Sequence, residues 1–273
     1  MSIEALHSAK SDIGLKRQHN EDRYLANPSL GLYVVCDGMG GGNAGEIASA
    51  LAIDAIQAHV REGTQNPDLP FIGRPDRNLS PTTNRLASAI RWANQTVHRA
   101  AWNNPAYAGM GTTVVAAQLA GRLLSIAHVG DSRLYLIRQG TILPLTVDHS
   151  WVAEQVQQGL MTEAEAEQSP RRNIVTRALG VEGTVDVDVT ELAVMDGDLY
   201  LLCSDGLTRG VRPDDILHAR AQDQPLDALA DRLVGMANQV GGEDNTTVLL
   251  LSVRHSKPEG LWQRVTQKWR QAS

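Results

Sequence analysis

Short apolar segments rich in β-branched residues recur along the chain, and their length and composition are typical of β-strands. Turn signals such as Ala120-Gly121, Gln139-Gly140 and Asp196-Gly197 separate several of these segments. Because many of the segments follow one another closely, we expect antiparallel pairing. The predicted strands are Leu32–Cys36, Thr113–Leu119, Leu123–Val129, Arg133–Arg138, Val185–Leu192, Leu199–Cys203 and Thr246–Val253.

Other segments place apolar residues at the spacing of one helix face. Leu226–Val240 predicts one helix, Pro213 suits the first turn of another, and Thr162 with Glu165 is typical of a capping box. The helices cluster in pairs between groups of strands, which favours an α+β fold over a doubly wound parallel sheet. The two clearest helical stripes are Leu86, Ile90, Ala93, Val97 and Ala101, and Ile47, Leu51, Ala55 and Val60.

Charge and cysteine content exclude several classes of protein. The chain of 273 residues has 25 basic and 31 acidic side chains and a formal net charge of −6, whereas a general nucleic-acid binder normally carries a basic face. No apolar run approaches the ~20 residues of a membrane span, and the N-terminus lacks the pattern of a secretory signal. Cys36 and Cys203 each lie in an apolar run, so we expect two buried free thiols and a cytoplasmic protein.

Aspartates stand at the boundaries of several predicted strands. Asp37 and Asp205 each follow a strand and precede a glycine, while Asp131, Asp244 and Asp22 lie at three further boundaries. A single Asp-Gly pair is more often a simple turn, but five acidic residues at one sheet edge would repel one another unless cations lay between them. Oxygen ligands without a Cys or His cluster favour magnesium or manganese over zinc.

At these residues the sequence resembles the bacterial metal-dependent protein phosphatases of type 2C, the PPM family. The resemblance implies two packed antiparallel β-sheets flanked by pairs of α-helices, an αββα sandwich. It also implies hydrolysis of phosphoserine and phosphothreonine in proteins. The matching motifs, in family order, are Arg17-x-x-Asn20-x-Asp22, Val35-Cys-Asp37-Gly-Met-Gly-Gly41, Gly109-Met-Gly-Thr-Thr113, Gly130-Asp-Ser-Arg133, Leu145-Thr-x-Asp-His149, Ser204-Asp-Gly206 and Asp244-Asn245.

The resemblance assigns roles to the matching aspartates. Asp37 would bridge two Mn²⁺ or Mg²⁺ ions, and the carbonyl of Gly38 would bind one of them. Asp205 and Asp244 would complete the first site, and Asp22 would contribute to the second, directly or through water. Two such ions lower the pKa of a bridging water, so that hydroxide is available near neutral pH.

Three further roles follow from the same resemblance. Asp131, with Asp205, would hold the third metal ion of bacterial members, and Arg17 would bind the substrate phosphate through its guanidinium fork. The general acid has two candidates. Met39 stands where some members have His, so either the loop residue His19 or a water on the metal could protonate the leaving oxygen.

Two segments lie outside this motif set. Residues 146–180 resemble the flap beside the active site of the family, within a phosphatase domain that spans residues 1–253. The remaining residues, 254–273, form a basic tail of net charge +4 whose apolar residues, including Trp262 and Trp269, share one face of a short helix. This tail could bind anionic lipid or a protein partner, or its two Trp side chains could dock on the domain itself.

These observations predict a metal-dependent Ser/Thr protein phosphatase that opposes a bacterial Ser/Thr kinase and works as a monomer. The alternative from another class is a catalytically idle module that binds phosphoproteins. The presence of Asp37, Asp205 and Asp244 favours the enzyme. A different two-metal hydrolase, such as a phosphodiesterase, is disfavoured because no His ligands stand near the aspartates.

Overall fold

Leu32–Met39 and Leu199–Cys203 are buried along most of their length and lie inside two different antiparallel sheets. The computed structural model describes residues 3–41, 44–222 and 224–255. One sheet has the strand order β1-β11-β10-β7-β8, and the other has β2-β3-β5-β6-β9 with β4 paired to β3. The strands are β1 (Ile3–Asp12), β2 (Asp22–Asn27), β3 (Leu32–Met39), β4 (Gly111–Thr112), β5 (Val114–Ala120), β6 (Leu123–Val129), β7 (Arg133–Arg138), β8 (Thr141–Pro144), β9 (Asp188–Ala193), β10 (Leu199–Cys203) and β11 (Thr246–His255).

Helices cover the outer faces of both sheets. Ser80 caps the second helix by accepting a hydrogen bond from the Thr83 N–H, and Pro81 stands at its first turn, where a missing N–H costs nothing. The helices are α1 (Ala44–Gln65), α2 (Pro81–Asn103), α3 (Trp151–Gln157), α4 (Glu163–Gln168), α5 (Asp205–Thr208), α6 (Pro213–Ala221) and α7 (Leu226–Gln239), with a 3-10 turn at Pro105–Tyr107.

Three apolar layers hold the sandwich together, because side chains alternate between the two faces of each strand. In β3, Val34 and Cys36 face α1 and α2, while Tyr33 and Val35 face the other sheet. In β10, Leu201 faces the helix pair α6 and α7. The fold is therefore α+β, with two packed antiparallel sheets between helix pairs, as predicted.

The predicted strands and helices all occur. β6, β7 and β10 have the predicted bounds, and the other predicted strands have shifted ends. β3 continues through Asp37 to Met39, so the aspartate lies inside the strand and not after its end. The sequence pattern missed β1, β2, β4 and β8. Within the described part of the chain, β1 is an edge strand that pairs only with β11. Much of it therefore meets solvent, and it carries few of the apolar residues that mark a buried strand.

The predicted flap, tail and thiols have different outcomes. Residues 146–180 contain α3 and α4, and the expected capping box of Thr162 and Glu165 opens α4. β11 continues to His255, and the rest of the predicted tail, 256–273, lies outside the described residues. Cys36 and Cys203 are buried free thiols, as predicted. Within the described ranges, we find no helix that is both long and apolar enough to cross a membrane.

Candidate metal centre

Five aspartates from both sheets converge at one end of the sandwich, which we call the aspartate edge. Strand register places Asp22, the first residue of β2, opposite Asp37 near the end of β3. The other three lie at the same end: one in the connection after β6, one as the first residue of α5, which follows β10, and one in the connection just before β11. The aspartate edge comprises Asp22, Asp37, Asp131, Asp205 and Asp244.

Asp22 is the most buried of these residues, with 1% of its surface exposed. The Ser204 hydroxyl donates to its Oδ2 at 2.7 Å, and Ser204 in turn accepts the Thr247 N–H at 2.9 Å. The bond between Ser204 and Asp22 crosses from one sheet to the other. Burial raises the pKa of Asp22 to about 7, although hydrogen bonds from Ser204 and Thr247 oppose the shift.

The backbone of Asp37 is held by the two threonines that follow Gly111. The Thr113 N–H (2.8 Å) and the Thr112 hydroxyl (2.9 Å) donate to the Asp37 carbonyl, and the Asp37 N–H donates to Thr113 Oγ1 at 3.1 Å. Thr113 Oγ1 also lies 2.7 Å from Ser132 Oγ, beside Asp131. Burial, and then the charges of Asp22 and Asp205, raise the pKa of the Asp37 carboxyl well above its usual value.

Gly38 permits the close approach of α1 to β3. A Cβ at this position would lie 2.1 Å from the Gly45 carbonyl oxygen and 2.7 Å from that of Glu21. Any side chain would therefore push the start of α1 away from the aspartate edge. This crowding explains why a glycine follows Asp37. The same close packing brings the backbone oxygens of Gly45 and Glu21 close to Gly38, whose carbonyl is a predicted metal ligand.

Asp205 and Asp244 face each other across a guanidinium group. Arg209 Nε donates to Asp205 Oδ2 at 2.9 Å, and Arg209 Nη1 lies 2.7 Å from Asp244 Oδ2. Arg17 Nη2 reaches the same oxygen of Asp244 at 2.8 Å. Burial raises the pKa of Asp205 although Arg209 opposes the shift. Two arginines therefore supply positive charge to these carboxylates.

Asp131 opens onto a groove beside the flap. It is 6% exposed, and burial, and then the charge of Asp205, raise its pKa to about 7. The groove has a volume of about 940 Å³ and runs between the flap helices, β7 and β8, and the start of α6. Asp131 and Asp205 both line it, so the aspartate edge is open to a large ligand.

Unpaired buried oxygens show that this edge suits cations. Asp22 Oδ1, Asp205 Oδ1 and Glu21 Oε1 are buried and have no hydrogen-bond partner among the described residues, an arrangement that costs free energy without a ligand. Six carboxylates, the five aspartates and Glu21, meet two guanidinium groups here. Full ionisation would leave four negative charges, which two divalent cations neutralise. Oxygen donors alone suit manganese or magnesium.

The loop before β2 is fixed to the start of β11 by Asn245. Its side-chain NH₂ donates to the His19 and Ile13 carbonyls at 2.9 Å each, and its Oδ1 accepts the Glu21 N–H at 2.8 Å. These bonds position Arg17 beside Asp244 and leave the side chain of His19 exposed. The aspartate edge therefore includes all the predicted site residues or lies directly beside them, while their roles remain predictions.

Sequence reasoning missed Glu21 and Arg209. Burial raises the pKa of Glu21, and its Oε1 lies where a Cβ on Gly45 would be only 2.5 Å away, so this carboxylate fills the space beside Gly38. Its position next to Asp22 in an acidic pair was the available signal. Arg209 had no comparable signal, because an arginine after a short helix is usually a solvated surface residue.

A second group of potential ligands lies under the flap. One potential ligand atom from each of His128, His149 and Asp188 lies within 4.8 Å of the other two, and the two rings stack at 4.7 Å. These donors are already engaged: His149 Nδ1 accepts the Gly130 N–H at 3.1 Å, and Arg177 pairs with Asp188 at 2.7 Å. The group therefore joins the flap to the turn before Asp131.

Comparison with known proteins agrees with this geometry. The family model described as protein phosphatase 2C matches residues 16–249. The chain is 36% identical over 267 residues to the serine/threonine phosphatase stp of Listeria monocytogenes, which covers 97% of this chain and 98% of that one.

Two solved structures share the fold. The serine/threonine phosphatase PstP/Ppp of Mycobacterium tuberculosis superposes with a TM-score of 0.81 and 36% identity, over 92% of this chain and 99% of that one. The catalytic domain of PstP in complex with two manganese ions gives a TM-score of 0.78 and 35% identity, over 93% and 100%. The chain therefore belongs to the protein phosphatase 2C family.

Proposed function

We propose that this protein hydrolyses phosphoserine and phosphothreonine in proteins, using two divalent cations, Mn²⁺ or Mg²⁺, bound at the aspartate edge. One observation carries the proposal: five aspartates from both sheets converge with buried oxygens that have no partner within the described chain. Membership of the protein phosphatase 2C family supports the same activity, and a related catalytic domain is described with two manganese ions.

The proposed metal ligands follow from where each group lies. Asp37 would bind both ions and the Gly38 carbonyl one of them. Asp205 and Asp244 would complete the first site, and Asp22 would contribute to the second, directly or through water. Asp131 and Asp205 both line the groove and their charges interact, which supports the proposal that they would hold a third ion together. When bound, the cations lower the pKa of water and neutralise charge on the transferring phosphoryl group.

The remaining work of the site is positioning. Arg17 is the proposed phosphate-binding residue, because its guanidinium already lies at the aspartate edge and its side chain is half exposed. A guanidinium fork matches two phosphate oxygens at once. In phosphoryl transfer most of the rate enhancement comes from positioning and electrostatics, so no protein nucleophile is required.

The proposed proton donor to the leaving oxygen is His19, which is exposed on the loop that carries Arg17. A serine leaving group needs a proton, whereas p-nitrophenolate leaves readily without one. His19→Ala should therefore slow hydrolysis of a phosphoserine peptide more than that of p-nitrophenyl phosphate. If the variant hydrolyses each of the two substrates at the wild-type rate, His19 is not part of the mechanism and water is the proton donor.

Protein phosphoserine and phosphothreonine are products of Ser/Thr kinases, so the proposed enzyme opposes such a kinase, whose substrates it dephosphorylates. The buried free thiols of Cys36 and Cys203 support action in a reducing compartment such as the cytoplasm. We propose that the protein acts there as a monomer, which light scattering on the purified full chain would test.

The function is tested by metal-dependent turnover of a phosphothreonine peptide and of p-nitrophenyl phosphate. Wild-type protein with Mn²⁺ should hydrolyse both, and Asp37→Ala and Asp205→Ala should each lose activity. Asp54→Asn is the control, since this exposed carboxylate lies on α1. Full activity in either site variant would overturn the metal assignment. Phosphopeptide binding without any turnover would instead support an idle binding module.

A further inference from the structure

Arg209 joins two predicted metal ligands that come from different parts of the chain. It stands one turn after Asp205, at the end of α5, and both its Nε and Nη2 contact Asp205 Oδ2. Its Nη1 lies 2.7 Å from Oδ2 of Asp244, the residue just before Asn245 and β11. The guanidinium thus bridges the end of β10 and the start of β11.

The contacts leave one side of the Asp205 carboxylate free. Arg209 binds Oδ2 of Asp205, while Oδ1 of the same group is buried without a partner in the described chain. Only 23% of the Arg209 side chain is exposed. A partly desolvated cation in this position fixes the rotamer of Asp205 and presents its other oxygen to the aspartate edge.

Arg17 does not duplicate this arrangement. It contacts the same oxygen of Asp244, but its side chain is 48% exposed, it extends from a loop, and Asp205 is not among its ion-pair partners in the described structure. Arg209 is therefore the cation built into the site by two ligand carboxylates, whereas Arg17 remains available to an incoming anion.

We propose that Arg209 is a resident counter-ion of the metal centre, a positioning residue that holds Asp205 and Asp244 together in the metal-free protein and lowers the affinity for divalent cations. The proposal rests on the metal-dependent function given above. Two effects act in the same direction. A guanidinium a few ångströms from a bound cation repels it. The same guanidinium also stabilises the two carboxylates when the metal is absent, so the protein gains less free energy when the metal ion binds.

The test is Mn²⁺ binding by calorimetry to the metal-stripped full chain, compared with thermal unfolding in chelator. Arg209→Met should bind Mn²⁺ about tenfold more tightly or better, and its metal-free form should unfold at a lower temperature than wild type. Arg209→Lys keeps the charge but loses the guanidinium fork, so its affinity for Mn²⁺ should lie between those of wild type and Arg209→Met. The matched control is Arg212→Met, which lines the same groove and should leave the affinity unchanged.

The outcomes separate this proposal from the proposed function. If Arg209→Met binds Mn²⁺ as weakly as wild type or more weakly, while wild type hydrolyses phosphopeptide, the counter-ion role is wrong and the function stands. If wild type binds Mn²⁺ without hydrolysing any phosphopeptide, the function fails and the affinity comparison still decides the role of Arg209. If Arg209→Met folds only with Mn²⁺, that dependence supports the proposal. The affinity for Mn²⁺ is then measured on Arg209→Gln.

Discussion

Asp22 lies directly opposite Asp37 in the antiparallel register of β2 and β3, so the two carboxylates leave the same face of the sheet as neighbours. Like charges in this position destabilise a sheet, and burial adds the cost of desolvation. Both groups therefore have a raised pKa in the metal-free protein. The pair lowers stability unless a cation lies beside it, which predicts opposite effects of one substitution on stability and on function.

Asp37→Asn should stabilise the metal-free protein and abolish catalysis. Loss of one of two facing buried charges should raise the free energy of unfolding in chelator by about 1 kcal/mol or more. Loss of the proposed bridging ligand should lower kcat/KM more than about 100-fold, since even residues that only support a ligand account for about 10–100-fold. Urea unfolding with and without Mn²⁺ measures the change in stability, and p-nitrophenyl phosphate turnover measures the change in kcat/KM. A less stable metal-free variant would contradict the repulsion argument.

The metal-free protein should be more stable at pH 6 than at pH 8. Asp22 and Asp131 have pKa values of about 7 when folded and about 4 when unfolded. Between these values only the folded state holds the two protons, so stability falls as pH rises from about 4 through about 7. Protein loaded with Mn²⁺ should instead be less stable at pH 6 than at pH 8, because protons compete with the metal for the same oxygens. Melting temperatures measured at pH 6 and pH 8, with chelator and with Mn²⁺, show in which direction the stability changes.

The double variant Asp22→Asn/Asp131→Asn is the control for this pH dependence. Without the two titrating carboxyls, the gain in metal-free stability on acidification should shrink by about 1 kcal/mol or more, roughly 2–4 °C in melting temperature. An unchanged pH dependence in the double variant would assign the effect to other groups.

Gly38→Ala should destabilise the protein by about 3 kcal/mol and abolish Mn²⁺ binding, because the new methyl group would meet the Gly45 carbonyl oxygen at 2.1 Å. Gly235→Ala is the matched control. It lies inside α7 with no atom within 4 Å of the new Cβ, so it should stabilise the protein by about 0.5–1 kcal/mol. Chemical unfolding and calorimetry measure the two effects. A stable Gly38→Ala variant that binds Mn²⁺ normally would show that α1 can move without cost.

Asp198→Asn should lower stability by about 3 kcal/mol without changing the metal site. The Asp198 side chain is fully buried and accepts hydrogen bonds from Arg138 (2.7 Å), the Met195 N–H (2.7 Å) and the Tyr200 hydroxyl (2.9 Å). Burial alone would raise the pKa of Asp198, but these partners lower it below its usual value. The ionised Asp198 carboxylate therefore stabilises the fold at neutral pH, and this stabilisation is lost only in acid, below about pH 4.

Denaturant unfolding of Asp198→Asn at pH 7 and at pH 3 tests that argument. The difference from wild type should be large at pH 7 and smaller at pH 3, where the wild-type carboxyl also begins to lose its charge. A constant difference at both values would mean that packing, and not the ion pair with Arg138, accounts for the loss.

Local patterns in the sequence determined the strand and helix positions and the identity of the aspartates. Alternation and apolar runs depend on neighbouring residues, so β6, β7 and β10 could be predicted with their bounds. The same logic failed for β1, whose place at a sheet edge leaves it partly polar. It also placed Asp37 after a strand that in fact continues to Met39.

Only the tertiary structure decided how those aspartates are held. Ser204 donates to Asp22 across 182 residues of sequence, and Arg209 reaches Asp244 from the end of α5. Such contacts arise when two sheets pack and bring distant strand ends to one edge, and no local pattern encodes their distance or direction. The sequence by itself indicated which aspartates are candidate metal ligands. Packing of the sheets decided their spacing, their burial and the arginine that compensates their charge.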